Sequence, residues 1–499
     1  MSITLKKVCK SYDSHTVLAE VTASLNVGEK IALVGENGAG KTTFLKLCAG
    51  VEEASAGTIT RDEYMLACFV PQEFPLEKYD GLTGREYVYL FGKDNLLRSV
   101  DRLLGKFDVD VSILDKHLSL LSGGQQKILD LCTCLAQRPQ YLLIDEPENH
   151  LDIFSRQVLI DMIRHYRGCV VFVSHDQEMI NAITNRILEI EGGTIKSYTG
   201  SYEFYLEHKA RMEEGQLRTW KAHEKKVNQL DKLIKRMHEW CQKNPDLGAQ
   251  LSARKTQLRK LQERAPEKPK IQRQATFKLK EVEQNRTKVM LRSQGLTIRL
   301  GGADILRDTD VSLFFGEKVA LIGRNGSGKS TFLKAVLGQI PVAAGDLRLG
   351  VNIKIGYFSQ EAVTTLNLEE TPFDVVARIL KSAEQHHVRS LLAQYLIGAD
   401  TCMRKIGTLS GGEKTRLRFC LLFAANNDLI LLDEPTNHLD PISWEILAEA
   451  LKTYQGTVLM VSHDRMFIDQ VAEKLWMIKD SKIVRYYGSL SEYLLEGSN

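Results

Sequence analysis

The sequence contains no apolar run long enough to cross a bilayer. A transmembrane helix needs roughly 18 consecutive apolar residues, and the apolar stretches of this 499-residue chain are shorter. The N-terminal segment Met1–Lys7 also lacks the apolar core of a secretory signal peptide. These absences argue against a membrane-spanning or secreted protein, and we expect a cytoplasmic location.

Cysteines are few, and their spacing does not suggest a metal or redox motif. Nine are scattered along the chain, and the close pair Cys132 and Cys134 is separated by one residue. Zinc and thiol–disulfide motifs typically separate their cysteines by two residues. We therefore expect reduced thiols that fill cores. Hydrophobic content of 43% and charged content of 26% are ordinary for a globular protein, and the length suits two to four domains.

One glycine-rich pattern occurs twice, 288 residues apart. Gly35–Thr42 and Gly323–Ser330 both read Gly-x-x-x-x-Gly-Lys-Ser/Thr, and each lies between a short apolar run and a Phe-Leu-Lys sequence. This is the strand, loop and helix context of a P-loop, in which backbone N–H groups and a helix N-terminus surround phosphate oxygens. A structural glycine turn is the alternative interpretation, but the duplication argues against it.

The P-loop pattern predicts a site for a nucleoside triphosphate with Mg²⁺. The lysine reaches the terminal phosphates, and the following hydroxyl ligates Mg²⁺. We expect no other metal. The predicted nucleotide-binding residues of the two loops are Gly35, Asn37, Gly38, Gly40, Lys41, Thr42 and Thr43, and Gly323, Asn325, Gly326, Gly328, Lys329, Ser330 and Thr331.

The same offset aligns further motifs that were not used to find it. The aligned pairs are Gln72 with Gln360, Ser122-Gly123-Gly124 with Ser410-Gly411-Gly412, Asp145-Glu146 with Asp433-Glu434, Asn149–Asp152 with Asn437–Asp440, and His175 with His463. A constant offset across so many motifs indicates an internal duplication. Each Ser-Gly-Gly triplet also begins a stretch that is predicted to be helical, so its backbone donors form a second phosphate pocket.

This ordered set of motifs resembles the ABC ATPase module, and the resemblance covers residues 1–205 and 288–499. Two such modules in one chain, joined by a charged helical segment, resemble the ABC-F family. The resemblance implies an α/β fold with two tandem P-loop ABC ATPase modules and a basic helical hairpin linker at residues 206–287. It further implies head-to-tail packing, with one ATP between the first P-loop and Ser410–Gly412 and the other between the second P-loop and Ser122–Gly124.

The motifs also predict how ATP is handled. Glu146 and Glu434 follow an aspartate at the end of an apolar strand, where a carboxylate can orient and polarise the attacking water. The two histidines, His175 and His463, donate to the γ-phosphate, and Gln72 and Gln360 sense Mg²⁺ and the attacking water. A lone His or Gln is more often structural, but these occupy matching positions in both copies. The predicted Mg²⁺ ligands are Thr42, Gln72, Asp145, Ser330, Gln360 and Asp433.

The two copies differ at three informative positions. Tyr12, which is predicted to stack on adenine, corresponds to Leu300. Ile128 corresponds to Arg416, and Glu148 to Thr436. Because the acidic pairs of both copies are intact, we expect two hydrolysis-competent sites with different turnover.

The segment between the copies is basic and helical. Residues 201–290 hold 22 Lys and Arg against 12 Asp and Glu. Residues 202–243 read as one long helix of about 60 Å, with Trp220, Val227 and Ile234, and likewise His223, Leu230 and Met237, recurring every seven residues. Residues 244–248 break the helix, and Leu247, Leu251, Leu258 and Leu261 continue the seam on a return arm. The sequence therefore predicts an antiparallel hairpin.

The return arm lacks acidic residues from Leu247 to Gln262 but carries Arg254, Lys255, Arg259 and Lys260. A solvated charged coiled coil is one interpretation, and a phosphate-backbone binder is the other. In ABC-F proteins the corresponding linker enters the tRNA exit site of the ribosome toward the peptidyl-transferase centre. The resemblance thus implies binding to 23S rRNA and P-site tRNA, and rescue of stalled or antibiotic-blocked translation.

Other classes fit the sequence less well. A fused ATPase subunit of a membrane importer is the alternative, but such proteins have a short linker between their modules. DNA-repair ABC ATPases carry zinc modules, and chromosome-organising ones have far longer coiled coils. We therefore expect no DNA partner, no stable membrane partner, and a monomer in which the two modules pair with each other.

Overall fold

The computed structural model describes residues 2–493 with the exception of residues 14, 37, 63, 150, 175, 242–247, 264–287, 360–365, 382–383, 438, 440, 487, 489 and 491. The chain forms two compact units. One unit combines Met1–Ser197 with Ala275–Asn499 and contains both copies of the repeat. The other is Tyr198–Gln274 and contains the helical segment.

The first copy alternates strands and helices. Its strands are β1 (Ser2–Tyr12), β2 (His15–Asn26), β3 (Lys30–Gly35), β4 (Ala56–Thr60), β5 (Ala67–Val70), β6 (Tyr141–Asp145), β7 (Cys169–Val173), β8 (Arg186–Glu191) and β9 (Thr194–Thr199). Its helices are α1 (Lys41–Ala49), α2 (Gly84–Tyr89), α3 (Asp94–Lys106), α4 (Gly123–Ala136), α5 (Ile153–Arg164) and α6 (Gln177–Ile183). The strands form a three-stranded sheet of order β2-β1-β4 and a six-stranded sheet of order β5-β6-β7-β3-β8-β9.

The second copy repeats this arrangement. Its strands are β10 (Val289–Leu300), β11 (Ala303–Thr309), β12 (Ser312–Phe314), β13 (Lys318–Ile322), β14 (Ala344–Leu349), β15 (Ile355–Ser359), β16 (Leu429–Asp433), β17 (Thr457–Val461), β18 (Lys474–Lys479) and β19 (Lys482–Tyr486). Its helices are α9 (Lys329–Val336), α10 (Pro372–Leu380), α11 (Gln385–Gln394), α12 (Gly411–Ala424), α13 (Pro441–Thr453) and α14 (Arg465–Val471). The six-stranded sheet has the order β15-β16-β17-β13-β18-β19, and β14 pairs with β10 in the smaller sheet.

The central strands explain where the motifs meet. β6, β7, β16 and β17 are buried along their whole length, as their unbroken apolar runs predict for parallel strands covered on both faces. In the first copy β3 pairs in parallel with β7, and β7 with β6. Because parallel strands end at the same sheet edge, the P-loop after β3 and the acidic pair at the end of β6 lie together.

The Ser-Gly-Gly triplets begin helices, as predicted. Ser122 caps α4, and Ser410 caps α12. In each case the serine hydroxyl accepts from the backbone N–H three residues on, and the side chain at that residue, Gln125 or Glu413, accepts in return from the serine N–H. Such a reciprocal capping box fixes the helix start, and therefore the direction in which its free N–H groups point.

Buried inside α4 is a carboxyl group, Asp130, which is 4% exposed. The Tyr87 hydroxyl donates to its Oδ1 at 2.7 Å, and burial raises the pKa of Asp130 to about 6. The folded state therefore binds this proton more tightly than the unfolded chain does. The resulting stabilisation is complete at low pH and is lost as the pH rises through about 6.

We expect Asp130→Asn to remove this pH dependence. Relative to the parent, the change in unfolding free energy between pH 5 and pH 7.5 should shrink by about 1 kcal/mol. Thermal melting of both proteins at the two pH values measures the effect, and the exposed Asp62→Asn serves as the control. Parallel melting profiles for the parent and Asp130→Asn would contradict the prediction.

The second unit is an antiparallel helical hairpin, as the heptad pattern predicts. It consists of α7 (Tyr202–Cys241), which has 40 residues, and α8 (Gly248–Glu263). The six predicted seam positions of α7 are buried or half-buried, while most of their neighbours are exposed. The imidazole Nε2 of His223 lies 3.0 Å from the Leu261 carbonyl oxygen, which ties the two helices together. The predicted break at residues 244–248 lies outside the described residues except for Gly248, and so does Leu247.

At 1.5 Å per residue, α7 is about 60 Å long. Four basic side chains of α8, Arg254, Lys255, Arg259 and Lys260, are exposed.

Within the part of the chain that the structure describes, no helix combines the length and the apolar character needed to cross a bilayer.

Candidate functional site

The two P-loops have the same local geometry. Gly40 and Gly328, each immediately before a helix, both have φ near 100°, a left-handed conformation that favours glycine. A Cβ at Gly40 would approach the Val17 side chain to 2.7 Å. Glycine is therefore required there both by backbone conformation and by space, which explains the motif at that position.

Both P-loop lysines donate hydrogen bonds to carbonyl oxygens of their own loops. The ammonium of Lys41 donates to the carbonyl oxygens of Gly35 at 2.8 Å and Glu36 at 3.2 Å. Lys329 donates to Gly323 at 2.9 Å and Arg324 at 3.1 Å. Burial lowers the pKa of both lysines, although neighbouring carboxylates oppose the shift. Because the hydrogen bonds of these buried ammonium groups go to neutral carbonyls, they can be exchanged for stronger ones to phosphate oxygens.

A hydroxyl and a carboxylate meet beside each P-loop. The Thr42 hydroxyl donates to Asp145 Oδ2 at 2.6 Å, and the Ser330 hydroxyl donates to Asp433 Oδ1 at 3.0 Å. Burial raises the pKa of Asp145. Mg²⁺ prefers hard oxygen donors and usually takes one or two from the protein, filling its remaining positions with phosphate oxygens and water. The residues present therefore fit the predicted metal at both sites.

The two glutamates have the same backbone but different partners. Glu146 and Glu434 have φ of 44° and 48°, and their N–H groups donate to Val173 and Val461. Around Glu146 Oε2, the amides of Gln72 and Asn149 donate at 2.8 and 2.6 Å.

Around Glu434, the Oε1 atom lies 3.1 Å from His463 Nε2. Burial raises the pKa of Glu434 to about 7, and burial together with the nearby Lys329 and Arg156 cations lowers the pKa of His463. Asn37, His175 and Gln360, which are also predicted site residues, lie outside the described residues.

A cavity of about 450 Å³ lies at the first P-loop. Its lining combines three of the motifs that the sequence predicts for that site, namely the P-loop, the glutamine Gln72 and the acidic pair. The lining residues are Val17, Gly38, Gly40, Lys41, Thr42, Thr43, Gln72, Asp145, Glu146 and Leu439. Leu439 comes from the second copy, so the first site is completed by a residue of the other half of the chain.

The second P-loop also contacts the other half of the chain. The backbone N–H of Asn325 donates to Asp152 Oδ2 at 2.9 Å. Arg324 pairs with Asp108 and lies 6.0 Å from the centre of the Phe154 ring. Thus the loop that follows the acidic pair in each half reaches the P-loop of the other half. This contact is what head-to-tail packing requires, while the approach of Ser122–Gly124 and Ser410–Gly412 to the opposite P-loops stays a prediction.

The copies also differ in structure at the informative positions named in the sequence analysis. The Tyr12 ring is 43% exposed with the Lys10 ammonium 5.0 Å from its centre, and Leu300 at the matching position is 53% exposed. Glu148 accepts from the Ser174 hydroxyl at 2.8 Å, whereas Thr436 and Ser462 pair through hydroxyls at 3.1 Å. Ile128 is buried. The first difference lies at the position predicted to stack on adenine, and the second lies two residues after the acidic glutamate of each copy.

Sequence reasoning missed Lys127, a buried cation of α4. Its ammonium donates to the carbonyl oxygens of Asp145 at 3.0 Å and Gln72 at 3.2 Å, and it also contacts that of Pro71. It thereby ties the strand that ends in the acidic pair to the loop that carries the glutamine. Because Thr415 occupies the matching position, comparison of the two copies gave no signal for it.

Comparison with protein families agrees with this geometry. A family profile described as "ABC transporter" matches residues 18–149 and 306–437, and a second profile with the same description matches residues 188–279. The ABC transporter F family member 5 of Arabidopsis thaliana is 32% identical over 99% of this chain and 77% of its own length. The putative ATP-binding protein YdiF of Bacillus subtilis is 30% identical over 99% of this chain and 82% of its own length.

Solved structures resemble the whole chain. An archaeal ribosome recycling factor, aABCE1, solved with the ribosomal stalk protein aP1, has a TM-score of 0.68 at 20% identity and covers 98% of this chain and 92% of its own. A structure titled RNase-L Inhibitor has a TM-score of 0.66 at 19% identity, covering 98% of this chain and 93% of its own. The predicted α/β fold with two tandem P-loop modules is confirmed.

Proposed function

We propose that this chain, an ATPase that belongs to the ABC-F family, binds the ribosome at the tRNA exit site and acts there through its basic hairpin on stalled or antibiotic-blocked translation. The observation that carries the hydrolytic half of the proposal is the duplicated cluster beside the P-loops. In each copy a buried lysine, a hydroxyl bonded to an aspartate, and a glutamate one residue further on meet at one sheet edge.

The glutamates Glu146 and Glu434 are the proposed catalytic residues. Each carboxylate accepts a hydrogen bond from the water that attacks the γ-phosphate. This hydrogen bond orients and polarises the water. Gln72 donates to Glu146 and keeps its carboxylate in one orientation. His463 plays the corresponding part beside Glu434, and it donates to the γ-phosphate once the substrate is bound. By the matching of the copies, the same roles fall to Gln360 and His175.

Substrate binding involves both halves of the chain. Lys41 and Lys329 exchange their loop carbonyls for terminal phosphate oxygens, while the helix starts at Ser122 and Ser410 supply backbone donors from the opposite half. Thr42 with Asp145, and Ser330 with Asp433, would hold Mg²⁺, which would supply positive charge to offset that of the triphosphate. Tyr12 stacks on the adenine of the first site. Closure around two ATP molecules and reopening after hydrolysis form the switch.

Ribosome binding is supported by the hairpin and by the relatives. The exposed cations Arg254, Lys255, Arg259 and Lys260 follow one another along α8 without an intervening acidic side chain. Clustered cations of this kind bind phosphate backbones by releasing counterions. Among the similar structures, one is described as an archaeal ribosome recycling factor, and another as ribosome-bound archaeal Pelota and ABCE1. We propose 23S rRNA and the P-site tRNA as the partners of the hairpin.

Co-sedimentation tests this function against the importer alternative. With a non-hydrolysable ATP analogue and Mg²⁺, the protein should pellet with 70S ribosomes at moderate salt, and with ADP it should stay in the supernatant. Membrane vesicles from the same cells should not retain it in either condition. Retention on vesicles together with release from ribosomes would instead support an energy-coupling subunit.

A further inference from the structure

The first turn of α5 crosses from the first half of the chain to the second ATP site. Asp152 caps this helix with Oδ1, which accepts from the Ser155 N–H at 2.8 Å. Its Oδ2 accepts from the N–H of Asn325 in the second P-loop. Four residues after Asp152, the Arg156 guanidinium donates through Nη1 to the carbonyl oxygen of His463 at 2.9 Å. One helical turn therefore contacts two separate elements of the second site.

Arg156 is held in place from its own half. Its Nη1 lies 3.5 Å from Asp176 Oδ2, and its side chain is only 13% exposed. Asp176 in turn caps α6 by accepting from the N–H groups of Glu178 and Met179. A permanently charged guanidinium shared between a carboxylate and a carbonyl is a directional contact, because both acceptors constrain its plane.

The residue that Arg156 holds is itself bonded to the proposed catalytic carboxylate. His463 follows the buried strand β17 by two residues, and its Nε2 lies 3.1 Å from Glu434 Oε1. The carbonyl on which Arg156 acts belongs to the same residue as this imidazole. A shift of that backbone would move the imidazole relative to Glu434, and displacements of an ångström are costly in catalysis.

The matching position in the second copy has different chemistry. Trp444 stands 288 residues after Arg156, and its indole Nε1 donates to Asp464 Oδ2 at 2.6 Å. That contact stays within the second copy and involves no cation. Trp444 therefore cannot make the contact with a histidine carbonyl that the guanidinium of Arg156 makes.

We infer that Arg156 is a positioning residue that acts in trans on the second ATP site. It holds the His463 and Glu434 pair in its hydrolytic geometry when the two halves are docked. Hydrolysis at the second site thus depends on the start of α5 in a way that hydrolysis at the first site does not. The inference rests on the proposed roles of Glu434 and His463.

Single-turnover hydrolysis in two full-length backgrounds tests this. In the Glu146→Gln background the measured hydrolysis comes from the second site, and in the Glu434→Gln background it comes from the first site. Adding Arg156→Ala to the Glu146→Gln background should lower the rate constant about 10-fold, with less than about a threefold change in the enzyme concentration for half-maximal rate. Arg156→Lys, which keeps a cationic donor, should recover a large part of the rate. In the Glu434→Gln background, Arg156→Ala should change the rate less than about twofold.

A second interface variant separates positioning from docking. Arg465 pairs with Glu178 across the two halves, so Arg465→Ala removes a docking contact without touching the His463 carbonyl. An equal loss from Arg465→Ala and Arg156→Ala, an equal loss in both backgrounds, or no recovery with lysine would each overturn the inference. A further result would also overturn it. Arg156→Ala would leave the rate of the Glu146→Gln background unchanged, although adding Glu434→Gln to that background abolishes hydrolysis. If that addition leaves hydrolysis intact, the assignment of the second site fails, and the inference fails with it.

Discussion

The double substitution Glu146→Gln and Glu434→Gln should lower steady-state ATP hydrolysis by about 100-fold or more while leaving ATP binding intact. Glutamine has nearly the shape of glutamate, but its neutral amide cannot polarise the attacking water as a carboxylate does. The P-loop lysines and the hydroxyl–aspartate pairs are unchanged in this variant. The protein should therefore accumulate in its ATP-bound closed form and pellet with 70S ribosomes when ATP is present.

The matched control is a double variant that loses ATP binding instead of only ATP hydrolysis. Lys41→Ala with Lys329→Ala should lose ATP hydrolysis as well, but it should not pellet with ribosomes in the presence of ATP. If the glutamate double variant stays in the supernatant with ATP, or if the lysine double variant pellets equally well, closure on ATP is not what drives ribosome association.

The single variants measure how unequal the two sites are. Glu146 is bonded by the amides of Gln72 and Asn149, and Glu434 lies beside His463. Both single substitutions should lower ATPase activity, by different amounts. If Glu434→Gln leaves both ATPase activity and ribosome release unchanged while Glu146→Gln abolishes both, the prediction of two competent sites is wrong.

The second large effect is expected from charge reversal on α8. Changing Arg254, Lys255, Arg259 and Lys260 to Glu should weaken ribosome association at least about 10-fold at moderate salt, because four cations no longer displace counterions from RNA. The dependence of log affinity on log salt should become less steep by about 3 to 4. Intrinsic ATPase activity should stay within about twofold of the parent, because these side chains belong to the separate hairpin unit.

A matched control carries the same change in net charge elsewhere. Lys6, Lys93, Lys106 and Lys116 are exposed side chains of the other compact unit, and their reversal to Glu should leave most of the ribosome affinity intact. Equal losses from the two sets would indicate an effect of net charge alone. Unchanged pelleting of the α8 variant would contradict the role proposed for the hairpin.

Local sequence patterns predicted those parts of the structure that lie within a single segment of the chain. The strand, loop and helix around Lys41 and Lys329, the helices that start at Ser122 and Ser410, and the seam of α7 all follow from spacing that a single segment carries. Such features depend on local backbone geometry and on periodic burial. For these elements the sequence sufficed.

Contacts between the halves were harder to predict, and so were residues that the duplication does not repeat. In the alignment of the copies, Lys127 corresponds to Thr415 and Arg156 corresponds to Trp444. Comparison of the copies therefore could not identify these two residues as functional. Their roles depend on which buried carbonyls lie within reach, and that is decided by tertiary packing. The Asn149–Asp152 motif was visible in both copies, but its contact with the opposite P-loop required the docked structure.

The long first helix of the hairpin turns a small rotation into a large displacement. A straight rod of about 60 Å that pivots by only about 5° at one end moves its far end by about 5 Å, close to the rise of one helical turn. The packed seam between α7 and α8 stiffens the part of this rod that runs from about His223 to its far end. A rotation that is barely measurable at one end of α7 would thus be large enough at its other end to shift a nucleic-acid strand.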